Sequence, residues 1–201
     1  MAKPSRLPGP TLPLVDAECD RAYALHEEGR DEEALAVLRA LVEQHQESVE
    51  AHLSLAPMLV VLGRFDEAAE CARLGAERAW NDPYLLVRSA TTAWHGDPAA
   101  AKVYLGRIDE LTGWAPSFAL EAEVWHLKGL LAWNEGAREA ALEWLGRAFE
   151  ADPGGLGAGA DLALALAESG RGAEATAVVE RALQARPGDA RLLALTEDRA
   201  P

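Results

Sequence analysis

The sequence is poor in cysteine, and this shortage excludes two ways of holding a small protein together. Cys19 and Cys71 are the only cysteines, they lie far apart, and neither has a neighbouring histidine that would complete a metal-binding set. Disulfide frameworks and zinc sites both need several such residues at short spacings. We therefore predict a chain without disulfides, without a metal and without a cofactor.

Basic residues are also scarce, with 19 Lys and Arg against 33 Asp and Glu and a net charge of −14. Nucleic-acid binding depends on clustered positive charge, so this balance excludes DNA and RNA as partners. An acidic surface favours neutral or cationic partners. The partner we expect is a protein or peptide.

No run approaches the roughly 18 apolar residues that a membrane-spanning helix needs. Lys3 and Arg6 are followed by prolines where a secretory signal would be apolar, so no signal is predicted. We predict that residues 1–14 form a flexible, Pro-rich tail and that the protein is cytoplasmic. The abundance of Ala, Gly and Arg suggests a bacterial source.

The sequence also lacks a recognisable catalytic constellation. Its histidines do not form an H-E-x-x-H motif or assemble with serine and aspartate into a hydrolytic triad; they are His26, His45, His52, His95 and His126. A glycine-rich stretch over residues 154–159 has no preceding strand, as a phosphate-binding loop would require, so we interpret it as a junction between repeats. We predict that the protein is not an enzyme.

What the sequence does contain is a repeat. A glycine is followed five residues later by an alanine, and this pair recurs five times with spacings near 34 residues. The pairs are Gly29 and Ala34, Gly63 and Ala68, Gly96 and Ala101, Gly136 and Ala141, and Gly170 and Ala175. The period predicts five similar helical hairpins.

The fourth of these units resembles the tetratricopeptide repeat (TPR) family. The matching residues are Trp125, Gly129, Gly136, Ala141, Leu145, Ala148 and Pro153, while Ala132 stands where the family has tyrosine. The resemblance implies an all-α, right-handed superhelix of five helix-turn-helix repeats. Small residues lie where the helices of a repeat cross, the glycine ends the first helix in a left-handed conformation, and the proline stops the second.

The period also predicts the domain organisation. We place the repeats at residues 15–48, 49–81, 82–116, 117–153 and 154–187, followed by a capping helix over 188–201 in which Leu192, Leu193 and Leu195 cover the last repeat. Between the third and fourth units the spacing of the repeated glycines lengthens by six residues, around Trp114. This insertion is either a tolerated surface loop or a loop that contacts a partner.

The resemblance implies a concave binding face lined by the first helix of each repeat. The residues we predict there are Tyr23, His26, Leu53, Pro57, Val60, Leu86, Ala90, Trp94, His126, Leu130, Trp133 and Leu164. Because this lining carries no Lys or Arg, it lacks the cations with which some TPR proteins hold a carboxylate. We predict a scaffold or adaptor whose groove binds an apolar peptide or an amphipathic helix.

Several alternatives remain open at this point. The groove could be filled by its own side chains, or occupied by the N-terminal tail, and apolar faces could pair two copies as a homodimer. Pro57 falls inside a predicted helix, which it either kinks or leaves irregular. A different function is that of a dedicated chaperone or accessory subunit of a secretion or biosynthetic complex.

Overall fold

A computed structural model of the chain describes residues 13–46, 48–78, 82–111, 117–155 and 157–197. Within these ranges it contains eleven α-helices and no strand, which confirms the predicted all-α architecture. The helices are α1 (Pro13–Glu27), α2 (Asp31–Gln44), α3 (Val49–Val61), α4 (Phe65–Arg78), α5 (Pro83–Ala93), α6 (Pro98–Asp109), α7 (Phe118–Asn134), α8 (Arg138–Ala151), α9 (Ala158–Glu168), α10 (Gly172–Ala185) and α11 (Ala190–Glu197).

The repeated glycines terminate the odd-numbered helices in the way the sequence predicts, with one exception. Gly29, Gly63, Gly136 and Gly170 have φ between +71° and +78°, a conformation that glycine adopts without strain. Gly96 does not have a positive φ. A Cβ at this position would lie 2.6 Å from the carbonyl oxygen of Phe65, so glycine is needed there for close approach and not for a left-handed turn.

Side chains cap the starts of several helices, including α3, α5 and α7. The Ser48 hydroxyl accepts a hydrogen bond from the Ala51 amide at the start of α3, and Ser117 does the same for Leu120 at the start of α7. At the start of α5, the Asp82 carboxylate accepts a hydrogen bond from the amide of Tyr84. Each cap satisfies a backbone donor that has no partner within its helix.

The chain divides into two compact units, which we call unit 1 (Met1–Ala101) and unit 2 (Lys102–Pro201). The core of unit 1 contains fully buried side chains of α2 and α3, namely Leu35, Leu38, Met58 and Leu59. The core of unit 2 contains Leu145, Phe149, Ala163, Val179 and Leu192. In both units the amphipathic helices bury their apolar faces against neighbouring helices.

Small residues permit close helix crossings in unit 2. A Cβ at Gly129 of α7 would lie 2.6 Å from Cγ of Leu145 on α8, and Ala141 is fully buried. The predicted need for small side chains at these two positions is thus explained by direct packing. The closing helix α11 contributes Leu192 to the core and packs Leu195 against it, whereas Leu193 is 41% exposed and does not cover the last repeat as predicted.

Two segments discussed in the sequence analysis lie partly or wholly outside the described residues. Helix α1 begins at Pro13, so residues 13–14 are helical and not part of a flexible tail. Residues 1–12 and the Trp114 segment lie outside the described residues. Of the helices within the described ranges, none has the length and apolar character needed to cross a bilayer.

Candidate functional site

The twelve residues predicted to line a concave face lie on the first helices of the hairpins. Unit 1 carries eight of them on or just after α1, α3 and α5, and unit 2 carries four on α7 and α9. The structure gives the two groups different environments.

In unit 1, three of the predicted residues are core residues. Leu53 is 1% exposed, and Leu86 and Ala90 are fully buried, so these side chains cannot contact a partner as predicted. The physical reason is that α3 packs against both α1 and α5, which covers this side of the helices. Tyr23 and Val60 are half-buried against the same core.

Pro57 lies inside α3 and lacks the amide hydrogen that would bond to the carbonyl oxygen of Leu53, four residues earlier. The structure supplies a replacement donor. Nη2 of Arg88, on α5, lies 2.6 Å from that oxygen and donates to it. The guanidinium also stands 5.8 Å from the centre of the Tyr84 ring. A basic residue therefore reaches a helix face that the sequence predicted to be without one.

His26 and Trp94 mark the ends of first helices in unit 1. Nδ1 of His26 lies 2.7 Å from Oδ1 of Asp31, so the imidazole joins the end of α1 to the start of α2. Trp94 caps α5 and is half-buried. Both are partly accessible.

In unit 2, His126 belongs to a polar cluster that links three helices. Its Nε2 lies 2.7 Å from Oδ2 of Asp161 on α9, and the other carboxylate oxygen of Asp161 accepts a hydrogen bond from Arg191 on α11. The side chains of His126 and Asp161 are only 15% and 16% exposed. The cluster ties α7, α9 and α11 together.

The electrostatics of this cluster favour an ionised Asp161. Burial acts to raise the pKa of this carboxyl group, but the hydrogen bonds from His126 and Arg191 outweigh it and hold the pKa below its ordinary value. The carboxylate consequently remains charged in the folded protein.

The other three predicted residues of unit 2 form a short apolar surface, which we call the α7–α9 strip: Leu130, Trp133 and Leu164. The His126–Asp161 contact joins the middle of α7 to the first turn of α9, and one helical turn farther along come Leu130 on α7 and Leu164 on α9. Leu164 is 39% exposed, while Leu130 and Trp133 are half-buried.

The far end of the α7–α9 strip carries a second charged group. The Arg138 guanidinium stacks over the Trp133 ring at 3.7 Å from the ring centre, within cation–π range. Nη1 of Arg138 lies 4.0 Å from Oε2 of Glu168. The α7–α9 strip therefore lies between two ends at which charged side chains are paired.

Sequence reasoning missed the charged residues that border the strip, which are Arg138, Asp161, Glu168 and Arg191. A signal for one contact was present, because Asp161 follows His126 by one repeat length and so occupies nearly the same register on the next first helix. The reach of the long arginine side chains could not be obtained from spacing.

The glycine-rich stretch has a structural role. The Gly154 amide donates to the Asp152 side chain, and Gly157 begins α9 with φ of +92°. A Cβ on Gly159 would lie 2.9 Å from Cβ of Ala182, so glycine permits α9 to approach α10 closely. These contacts support its interpretation as a repeat junction.

Groups capable of metal or nucleophilic chemistry are sparse. The described ranges contain no group of three or more His, Cys, Asp or Glu residues arranged to hold a metal ion. Burial raises the pKa of the Cys71 thiol to about 11, so this group stays protonated and is a poor nucleophile near neutral pH.

Comparison with known proteins identifies similarity at two levels. Residues 132–198 match the family model described as tetratricopeptide repeat. No curated protein matches the sequence.

Solved structures share the fold at low sequence identity. A thermophilic TPR protein from Thermus thermophilus is 20% identical with a TM-score of 0.70, over 92% of this chain and 97% of that one. PilF from Pseudomonas aeruginosa is 18% identical with a TM-score of 0.63, over 92% and 85%. YrrB, described as a TPR protein with an unusual peptide-binding site, is 21% identical with a TM-score of 0.52, over 90% of each chain. At these identities the similarity establishes the fold alone.

Proposed function

Because residues 132–198 match the tetratricopeptide repeat model and solved TPR proteins share the fold, we propose that this chain is a non-catalytic interaction scaffold. Its partner is a protein or peptide that places the apolar face of an amphipathic helix, or a short apolar segment, on the α7–α9 strip. A peptide-binding site in YrrB, a protein of the same fold, supports this class of function.

The exposure of Leu164 is the observation that carries the proposal. The large apolar residues Leu162 and Leu166, which flank it on α9, are both buried, whereas Leu164 is 39% exposed beside half-buried Leu130 and Trp133. Removing such a surface from water is favourable by about 25 cal/mol per Å². A helical partner would meet it with apolar residues three or four positions apart.

The charges at the two ends restrict the partner further. Arg138 and Arg191 each already face a carboxylate, that of Glu168 at 4.0 Å and that of Asp161 at 2.5 Å. The acidic net charge favours neutral or cationic flanks on the partner. The partner segment we propose is therefore apolar, with neutral or basic flanks.

The test is a matched pair of substitutions, Leu164→Glu in the strip and Val61→Glu at the end of α3, where the side chain is 52% exposed. Both add one negative charge at an exposed apolar position. We expect the first to lower partner affinity at least tenfold, about 1.4 kcal/mol, and the second to leave it unchanged. The measurement is quantitative mass spectrometry of proteins captured by the full chain and by each variant, followed by titration of the captured partner.

Equal capture by both variants would contradict the assignment to the strip. Circular dichroism provides the control for folding, since Leu164 is exposed and its replacement leaves the core intact. A single partner recovered at 1:1 stoichiometry would favour the role of a dedicated accessory subunit over that of a general adaptor.

A further inference from the structure

A groove of about 400 Å³ lies on the first helix pair, away from the residues considered above. Its lining comes from α1, α2 and the residue after α2: Glu18, Arg21, Ala36, Val37, Ala40, Leu41, Gln44 and His45. The floor is apolar, with Leu41 buried and Val37 half-buried. Glu18 and Arg21 form its rim and pair with each other at 3.4 Å.

This groove is on the side of the pair that α3 does not cover. Helix α3 packs against α1 and α2, yet it contributes no residue to the lining. At the other end of the described chain the last pair, α9 and α10, is covered by α11 through Leu192. A repeat buries its apolar surfaces only against neighbours, so an uncovered pair needs a covering segment.

We propose that residues 1–12 occupy this groove as an N-terminal cap, with Leu7 and Leu12 on its apolar floor. This proposal does not rest on the function of the α7–α9 strip. The occupant is argued from position, length, composition and charge.

Position and length favour this segment over any other. Because α1 and α2 are antiparallel, the second half of α2 lies beside the first half of α1, where residues 1–12 join the helix. Ala36 to Gln44 span about 12 Å at the rise of an α-helix. Four residues of extended, proline-rich chain cover the same length at about 3.1 Å each, so the segment reaches along the whole groove.

Composition and charge agree with the placement. Leu7 and Leu12 are five residues apart and separated by Pro8 and Pro10, which disfavour helix and keep such a segment extended. Helix α2 has no basic residue in its last turn, although its C-terminal carbonyl groups carry partial negative charge. Lys3 and Arg6 supply positive charge to that acidic unit.

Disulfide trapping in the full chain tests the proposal. The pair Gly9→Cys with Ala40→Cys joins the middle of the segment to the groove. The control pair is Gly9→Cys with Asp20→Cys, because Asp20 is exposed and lies about 200° around α1 from Glu18, at a comparable reach. The native cysteines are both buried. The readout is the rate of intrachain disulfide formation at low protein concentration, followed by peptide mapping.

We expect the groove pair to close roughly tenfold faster or more than the control pair, because docking raises the effective concentration of the two thiols. Adding Leu7→Asp should remove this advantage. Equal rates for the two pairs would overturn the proposal, as would a predominance of interchain disulfides, which would assign the groove to a second copy of the chain. Ala40 is exposed, so the substitution leaves the fold intact, and circular dichroism checks this.

Discussion

Unit 1 and unit 2 are both built from helical hairpins, but side chains at equivalent positions differ in their burial. In unit 1 the predicted binding positions Leu53, Leu86 and Ala90 belong to the core, whereas in unit 2 Leu164 is exposed between two charged clusters. The repeat pattern determines where a helix starts and stops. It does not determine how closely successive first helices approach, and that distance decides whether a side chain is core or surface.

The two units also tie their first helices together with different chemistry. In unit 1 the contact is a guanidinium on a backbone carbonyl, between Arg88 and Leu53. In unit 2 it is an imidazole and a guanidinium on one carboxylate, at Asp161. The acceptor in unit 1 is a backbone carbonyl, which does not ionise, whereas the acceptor in unit 2 is a carboxylate whose pKa is lowered in the folded protein.

The largest expected difference between the units concerns helix crossings. Gly129→Ala in unit 2 places a Cβ within 2.6 Å of Leu145 Cγ and 3.0 Å of its backbone nitrogen, and a backbone atom cannot move aside cheaply. We expect it to lower the free energy of unfolding by about 2–3 kcal/mol.

The matched change in unit 1 is Gly75→Ala, whose Cβ would meet the ends of the Leu53 and Ser89 side chains at 2.7 and 2.9 Å. No backbone atom is among these close contacts, and alanine has the higher helix propensity, so the expected loss is smaller, below about 1 kcal/mol. Urea unfolding followed by circular dichroism measures both. A larger loss for Gly75→Ala would mean that the unit 1 crossing is the more rigid.

Asp161→Asn tests the carboxylate of unit 2. We expect a loss of about 1–2 kcal/mol near neutral pH, because two charge-assisted hydrogen bonds are weakened. The pKa of Asp161 is lowered in the folded state, so its stabilisation is complete above the unfolded-state pKa of about 3.9 and is lost as pH falls through the folded-state value.

The difference in stability between Asp161→Asn and the unchanged chain should therefore be constant above about pH 5 and shrink below about pH 4. Urea titrations across this range provide the measurement. A difference that persisted undiminished at the lowest pH would show that the charge of Asp161 contributes nothing.

The backbone contact of unit 1 is expected to have a smaller effect than the carboxylate of unit 2. Arg88→Met should cost about 1 kcal/mol by leaving the Leu53 carbonyl without a donor. In a Pro57→Ala background the new amide at residue 57 can bond to that carbonyl, so the cost of Arg88→Met should fall. A double-mutant cycle measures the coupling, and additive losses would mean that the two residues act independently.

Much of the fold followed from the sequence because its signals are local. A glycine after each first helix and a proline after Ala151 and Ala185 locate helix ends without knowledge of packing. Gly96 shows the limit, since glycine is required there by the Phe65 carbonyl of another helix and not by its own turn.

The candidate site was less predictable because it depends on contacts between hairpins. A proline inside α3 indicates that some donor must serve the Leu53 carbonyl, but nothing in the spacing identifies Arg88. Periodicity predicts the face of α9 on which Leu164 lies. Its exposure depends on how α7 and α9 pack, as the burial of Leu86 depends on how α3 and α5 pack.

The proline inside α3 has a consequence for the way unit 1 unfolds. A bond that an ordinary helix makes within itself is here made with α5, so α3 completes its backbone hydrogen bonding only when the next first helix is in place. In a linear array, stability is the sum of each repeat's own free energy and that of its contacts with its neighbours. The Arg88–Leu53 hydrogen bond belongs to the contacts between repeats and not to one repeat alone. We therefore expect the repeats of unit 1 to unfold together instead of fraying one at a time.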